Sequence, residues 1–488
     1  MCCIRVTLWL VAAPRTGCSP FCPSHGCIRF NLPLPVNIKQ LSLGAGPLGY
    51  LACQLLDIPF EQRVVLGTAF WMLLWWFTEV LPLGITALLP LVLFGGTEIL
   101  CNSELANAYA NPLIYLFMGG FFLARGIERH NLHRRLALGI LRHVGHRSHM
   151  VLAGVMLATF TLSLWMSNTA TAVMMLPLTL SLLSHLPTEK ETQNNLERRV
   201  LLGMAWGANL GGIGTLIGTP PNLVYAAFRE ETLGVTTTFV EWSTIAFPLS
   251  LVLLVIAFAV LSRDMPSVDL GDLEWPKPAP WTSAEIRVAL IFSITAILWM
   301  TRQWIEPFVT PYGWSLPDQV IGIAGALAMF ALRDRDGAPL LRWKDGRKIE
   351  WGILLLFGGG LSLAAAMQAS GWLDSLQSLS DHPLPAWVWI FAFTAIGVWT
   401  TELFSNMALV SGTLPIALAV ASAQGLAFEH LALPLTVGAS CAFMLPMATP
   451  PNAIVFSSGK VTVPYMAGRG FWMNVWATLV IGLAFSLL

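Results

Sequence analysis

Residues 151–183 form an apolar run with no Asp, Glu, Lys or Arg, and a polar triplet, Ser167-Asn168-Thr169, stands in its middle. A membrane-spanning helix needs roughly 20 apolar residues. At that depth an unpaired polar group is costly unless it lines a cavity or binds something. Pro177 follows the triplet's Ser by ten residues. The chain contains a second copy, Ser405-Asn406-Met407, with Pro415 again ten residues after the Ser. Any fold for this chain has to hold two polar tips among apolar segments.

The surroundings fix the class. The 488 residues are 55% hydrophobic and 11% charged, where soluble domains carry about 25% charged residues. More than ten stretches approach spanning length, so the sequence reads as an all-α polytopic membrane protein. Net charge is +0 and there is no basic tail, which argues against nucleic acid as a partner. Cys2, Cys3, Cys18, Cys22 and Cys27 crowd the N-terminus; Cys53, Cys101 and Cys441 are scattered. No His/Cys pair follows at zinc-ribbon spacing, and residues 6–13 are too short for a signal peptide. Residues 1–40 are read as a disordered extension or a mis-assigned start.

Apolar segments fall at 41–57, 64–80, 83–98, 111–125, 150–185, 199–228, 243–262, 285–305, 317–332, 351–367, 386–424, 430–460 and 470–487. Between them, residues 126–148 place Leu132, Leu136, Ile140 and Leu141 at helical spacing among Arg and His. That predicts an amphipathic helix on the membrane surface. Six Lys and Arg lie in 125–148 and six in 333–350, whereas 99–110 and 367–386 have none. The positive-inside rule puts the two basic loops in the cytoplasm. The poor loops then fall outside only if 150–185 and 386–424 each enter and return on one side. The first becomes a re-entrant hairpin from the cytoplasm, the second one from outside. About eleven crossings remain, with the N-terminus cytoplasmic and the C-terminus outside; the expected location is the bacterial inner (plasma) membrane.

An internal repeat runs through this order. Residues 116–124, LFMGGFFLA, match 356–364, LFGGGLSLA, without a gap. The tips follow, and then Thr219-Pro220-Pro221-Asn222 and Thr449-Pro450-Pro451-Asn452. Hairpins of opposite sidedness make the repeats inverted, as in many secondary transporters. The first repeat with its preceding helix covers 41–262 and the second 285–488.

Pro-Pro in an apolar run removes two N–H donors and breaks a helix. The break frees carbonyls that can ligate a hard cation, and its new helix N-terminus favours an anion. Ser, Thr and Asn add neutral oxygens for sodium and donors for a carboxylate. Each half thus offers a tip and a broken helix, enough for one cation, with an anion shared between the halves. The competing reading is that Ser-Asn-Thr only caps a helix; two copies, each paired with a break, argue against it. No Lys, Arg or His lies in 150–183 or 386–424, so a co-bound cation has to supply positive charge unless another segment does. Glu402 lies beside the second tip and Glu79 ends an apolar helix. Glu402 has two readings, proton coupling or acceptance of hydrogen bonds from broken-helix N–H groups. The 20 Trp and the Met residues near Met174 read as interfacial belts and packing. An intramembrane hydrolase would need Ser167 or Ser405 as nucleophile, and neither hairpin supplies a His or Lys base.

These tips, the paired Thr-Pro-Pro-Asn breaks and the segment WGILLLFGGGLSLA resemble the divalent anion/sodium symporter family over about residues 60–488. The family carries di- and tricarboxylates or sulfate. The resemblance implies a homodimer in the lipid bilayer that works by an elevator movement of the hairpin-bearing domain. It also implies two sodium sites, with no other cofactor. The first would use Ser163, Ser167, Asn168 and a carbonyl near Gly218; the second would use Thr401, the Phe404 carbonyl, Asn406 and Ala448. Substrate would meet Ser167, Asn168, Thr169, Ser405, Asn406 and Thr449, with Thr219 beside them. Met407 departs from the motif, which has Thr there, and puts substrate size and selectivity in question. The resulting expectation is a non-enzymatic, sodium-coupled importer of small dicarboxylates such as succinate or malate. Its rivals are a tricarboxylate or sulfate symporter, an organic-anion antiporter and, more distantly, a non-transport membrane protein.

Overall fold

The computed structural model describes residues 38–143, 145, 147–184, 190–269, 280–372 and 384–487. The expected extension at 1–40, up to residue 37, and the N-terminal Cys group lie outside the described residues. What is described is helical, with no strand beyond the isolated bridges Arg147–Asp269 and Arg333–Pro339. The first half runs α1 (Ile38–Cys53), α2 (Phe60–Thr78), α3 (Leu83–Thr86), α4 (Leu89–Gly96), α5 (Asn102–Tyr109), α6 (Pro112–Arg129) and α7 (Leu132–Leu141). It continues with the arm pair α8 (Ser148–Ser163) and α9 (Asn168–Ser184), the broken helix α10 (Lys190–Ile213) and α11 (Pro220–Leu233), and α12 (Phe239–Ser262). The second half opens with α13 (Ser283–Val309), α14 (Asp318–Ala331), α15 (Trp343–Gly346) and α16 (Trp351–Ala369). The second arm pair is α17 (Ala386–Thr400) and α18 (Asn406–Ala423), the second broken helix α19 (Glu429–Ala439) and α20 (Pro450–Ser457), and α21 (Val463–Leu487) closes the chain.

Local chemistry sets the helix starts. Pro220 and Pro221 open α11, and Pro450 and Pro451 open α20, at first-turn positions where an N–H would have no intrahelical partner. Thr219 and Thr449 precede them with nearly the same extended backbone, φ −143° in both. Asn111 caps α6 by accepting from Leu113 N at 2.9 Å, and Thr282 with Glu285 forms a capping box on α13.

Packing repeats between the halves. α8 and α9 pack on α10, as α17 and α18 pack on α19. The halves then exchange partners: α9 packs on α20, and α18 packs on α11. The matched glycines bring helices close in both halves. A Cβ at Gly119 would stand 2.6 Å from the Gly322 backbone, and one at Gly359 would stand 2.5 Å from the Ala87 carbonyl oxygen.

The two arm pairs end at opposite ends of α12. Ser148 at the start of α8 donates to Pro266 O, and Arg199 of the following α10 donates to Leu261 O and Arg263 O, so the first pair starts beside the C-terminus of α12. Gln424, just after α18, accepts from Leu384 N. Glu429, five residues further, shares Arg229 with Glu241 in the first turn of α12. The 24 residues of α12 span about 36 Å at 1.5 Å per residue.

Among the described residues, six helices are long and apolar enough to cross a membrane, one of them α18, Asn406–Ala423. Six further apolar helices have 10–17 residues, one of them Leu83–Gly96, which spans α3 and α4. The amphipathic helix is present as α7, but its apolar face packs on protein. Leu132, Ala137, Leu138 and Leu141 are buried with His133, and α7 lies on α8, while Leu136 stays exposed.

Candidate functional site

At the first tip the chain leaves α8 after Ser163 and re-enters helix at Asn168. Ser163 Oγ donates to Asn168 Oδ1 at 2.7 Å, and Ala170 N donates to Ser167 Oγ at 3.3 Å. The second tip repeats the first bond: the Thr401 hydroxyl stands 2.6 Å from Asn406 Oδ1 and 2.7 Å from Ala439 O. In both tips a hydroxyl and a carboxamide oxygen are clamped together, and both keep lone pairs for a hard cation.

The breaks are held by the Asn of each Thr-Pro-Pro-Asn. Asn222 Nδ2 donates to Gly212 O at 3.0 Å and Thr215 O at 2.8 Å; Asn452 Nδ2 donates to Ala442 O at 3.2 Å and Leu445 O at 3.1 Å. These amides draw the freed carbonyls into a loop rather than leaving them splayed. Gly212 joins tip to break. A Cβ there would sit 2.4 Å from Asn168 Oδ1, and one at Gly218 would sit 2.6 Å from Gly212 O. Ser163, Asn168 and Gly218 of the expected first sodium set therefore converge around Gly212, and Ser167 shares a small cavity with Gly218. Of the second set, Thr401 and Asn406 are joined, and Ala448 is buried beside the cap Thr449. Phe404 packs its ring on Phe77, with centroids 4.6 Å apart.

Glu402 binds the second tip to the second break. Its carboxylate accepts from Phe443 N at 2.7 Å, Met444 N at 2.9 Å, Leu445 N at 3.0 Å and Asn474 Nδ2 at 2.9 Å. Of its two sequence readings, acceptance from broken-helix N–H groups is the one this geometry displays. The first half ties tip to break differently: Thr215 Oγ1 donates to Leu164 O. Between the halves, Asn209 Nδ2 donates to Ala442 O at 2.9 Å and Thr449 Oγ1 at 3.1 Å, and Trp206 Nε1 donates to Phe443 O at 3.2 Å.

Among the expected substrate contacts, Ser167 and exposed Thr169 line a cavity of about 400 Å³ with Arg125, Glu128, Lys348 and Glu350. Ser405, Asn406, Met407, Thr219 and Thr449 do not line it; Met407, Thr219 and Thr449 are buried. Asn209, Thr215, Asn474 and Glu350 were not singled out from sequence. Asn209 and Asn474 carried a usable signal, since each is a polar residue inside an apolar helix.

The citrate-transporter family model matches residues 73–438. The sodium-dependent dicarboxylate transporter SdcS of Staphylococcus saprophyticus is 33% identical over 477 residues, 91% of this chain and 90% of that protein. Its namesake from Staphylococcus aureus strain bovine RF122 is 33% identical over 92% of this chain and 91% of its own. The crystal structure of the Alcanivorax borkumensis YdaH transporter matches with a TM-score of 0.56 and 14% identity, covering 87% of this chain and 98% of that one, and so shows the fold. The chain is an integral, multi-pass membrane protein that belongs to the citrate-transporter family of secondary transporters, the divalent anion/sodium symporter type its motifs resemble.

Proposed function

We propose that the chain is a sodium-coupled symporter of small dicarboxylates of the succinate or malate kind. One sodium ion binds in each half, at Ser163, Ser167, Asn168 and Gly218 and at Thr401, Phe404, Asn406 and Ala448. The dianion sits between Ser167, Asn168, Thr169, Ser405, Asn406 and Thr449, with Thr219 and Met407 at the edge. The observation that carries this reading is the duplicated hydroxyl–carboxamide clamp, Ser163 with Asn168 and Thr401 with Asn406, each beside a break held by its own Asn. All the protein ligands are neutral, so bound sodium supplies the charge that attracts the dianion. The printed names of the relatives, sodium-dependent dicarboxylate transporters, support the same substrate and ion.

In this reading the arm pairs are re-entrant hairpins from opposite faces, and the repeats 41–262 and 285–488 are inverted. The placement of their ends at opposite ends of α12 supports it. The protein is a homodimer, and its hairpin-bearing part moves as an elevator between faces. The N-terminus is cytoplasmic in a bacterial inner membrane. A second substrate class is favoured by one observation: the matching family model describes a citrate transporter, and a tricarboxylate would use the same donors.

Succinate uptake into proteoliposomes under an imposed inward sodium gradient tests the proposal. Uptake is expected with sodium and lost when potassium replaces it. Equal uptake in potassium would remove sodium coupling, and preferential competition by citrate would move the substrate class.

A further inference from the structure

The two proposed sodium sites differ in what stands beside them. Next to the second is the buried Glu402, whose oxygens are taken up by three backbone N–H groups and Asn474. The first is made of neutral oxygens only. A cation in a neutral cage depends on whatever charge the surrounding cavity supplies.

Two cavities reach the first tip. The larger, about 400 Å³, is lined by Ser167 and Thr169 together with Arg125, Glu128, Lys348 and Glu350. The smaller, about 30 Å³, is lined by Ser167, Gly218, Pro220, Trp165 and Glu350. Glu350 therefore stands on both, on the way from the charged mouth to two of the expected sodium ligands. It immediately precedes α16, which fixes its position beside Ile353 on the cavity wall. The other charges are differently placed. Arg125 is paired with Glu128 and donates to Lys348 O. Glu350 and Lys348 carry no ion pair among the described residues. The equivalent of Glu350 in the first half, 240 residues earlier, is Ala110, so this acid serves one half only.

We infer that Glu350 sets how tightly the first half-site holds sodium when that site faces this vestibule. The inference rests on the sodium-coupled reading above. Glu350 is exposed on the wall of the larger cavity, and a carboxylate there raises the local cation concentration beside the site. Lys348, two residues away, opposes sodium and draws the dianion through the same mouth. The first site exchanges its cation past this acid; the second has no such exposed acid in these two cavities.

Saturation binding of radioactive sodium to the purified full chain in nanodiscs tests this, with choline holding ionic strength constant. Glu350→Gln should weaken one binding component about threefold to tenfold, the effect of one partly screened charge. Glu350→Asp should restore most of it, and Lys348→Gln should shift the same component the other way. A merely structural role for Glu350 would not produce opposite signs at two neighbouring positions. Saturable wild-type binding with an unchanged Glu350→Gln curve would overturn the inference while leaving sodium coupling intact. No saturable binding in the wild type would overturn sodium coupling itself.

Discussion

The two half-sites share a plan and differ in what surrounds it. Two residues before each tip Ser, the first half has Trp165 and the second Leu403. Trp165 stacks on Phe239 at 5.8 Å and meets Phe292 edge-on at 5.1 Å, while Leu403 is 65% exposed. Two residues before each break Thr, Ile217 packs against the position of Gly120, whereas Met447 is 75% exposed. Three residues before the tip, Leu164 offers a backbone carbonyl to Thr215, whereas Glu402 offers a buried carboxylate to three N–H groups. The first half is covered by neighbouring helices but opens through Ser167 and Thr169 onto a charged vestibule. The second is internally fastened by one acid. Duplication preserved the clamp and let the fastening diverge.

Removing the clamp should cost most. Asn168→Ala and Asn406→Ala each delete a carboxamide proposed to ligate sodium, and each should lower transport about tenfold to a hundredfold, with folded protein retained on size-exclusion chromatography. Full transport in both variants would reduce the tips to helix caps. The coverage difference predicts unequal stability. Trp165→Ala should lower unfolding stability by about 3 kcal/mol through lost ring packing, whereas Leu403→Ala should change it by less than about 0.5 kcal/mol. Thermal unfolding in detergent reads both, and equal shifts would erase the contrast.

Glu402→Gln comes next. It replaces one acceptor oxygen by a donor facing backbone N–H groups and should destabilise by about 2 kcal/mol. An unchanged melting temperature would mean the three N–H contacts contribute nothing. The smallest effect is expected at the motif mismatch. Met407→Thr restores a hydroxyl where Thr169 has one, and should alter the succinate-to-citrate competition ratio by less than about tenfold. Identical competition profiles would show the position to be silent.

Much of this plan could be read from the chain because it was duplicated. Ser167-Asn168 and Ser405-Asn406, with their breaks, announce themselves as polar interruptions of apolar runs. The residues that fasten them do not. Asn209 reaches Thr449 across 240 residues of sequence, and nothing in the run GMAWGANLGG says which helix it faces. Glu402 was visible, yet its partners are backbone N–H groups, which every sequence supplies. The amphipathic helix was legible as a period, and the structure adds its neighbour: α8 packs on one face of α7, while Leu136 of the stripe stays exposed. Glu350 ends a charged stretch of sequence, and only the fold brings it to Ser167 and Gly218.

In the proposed mechanism both half-sites bind a cation around one shared dianion. Simultaneous fluxes of radioactive sodium and labelled succinate, measured in the same proteoliposomes, test it most directly. At least two sodium ions per succinate are expected, one for each clamp. A ratio of one, or succinate flux without sodium flux, would contradict it.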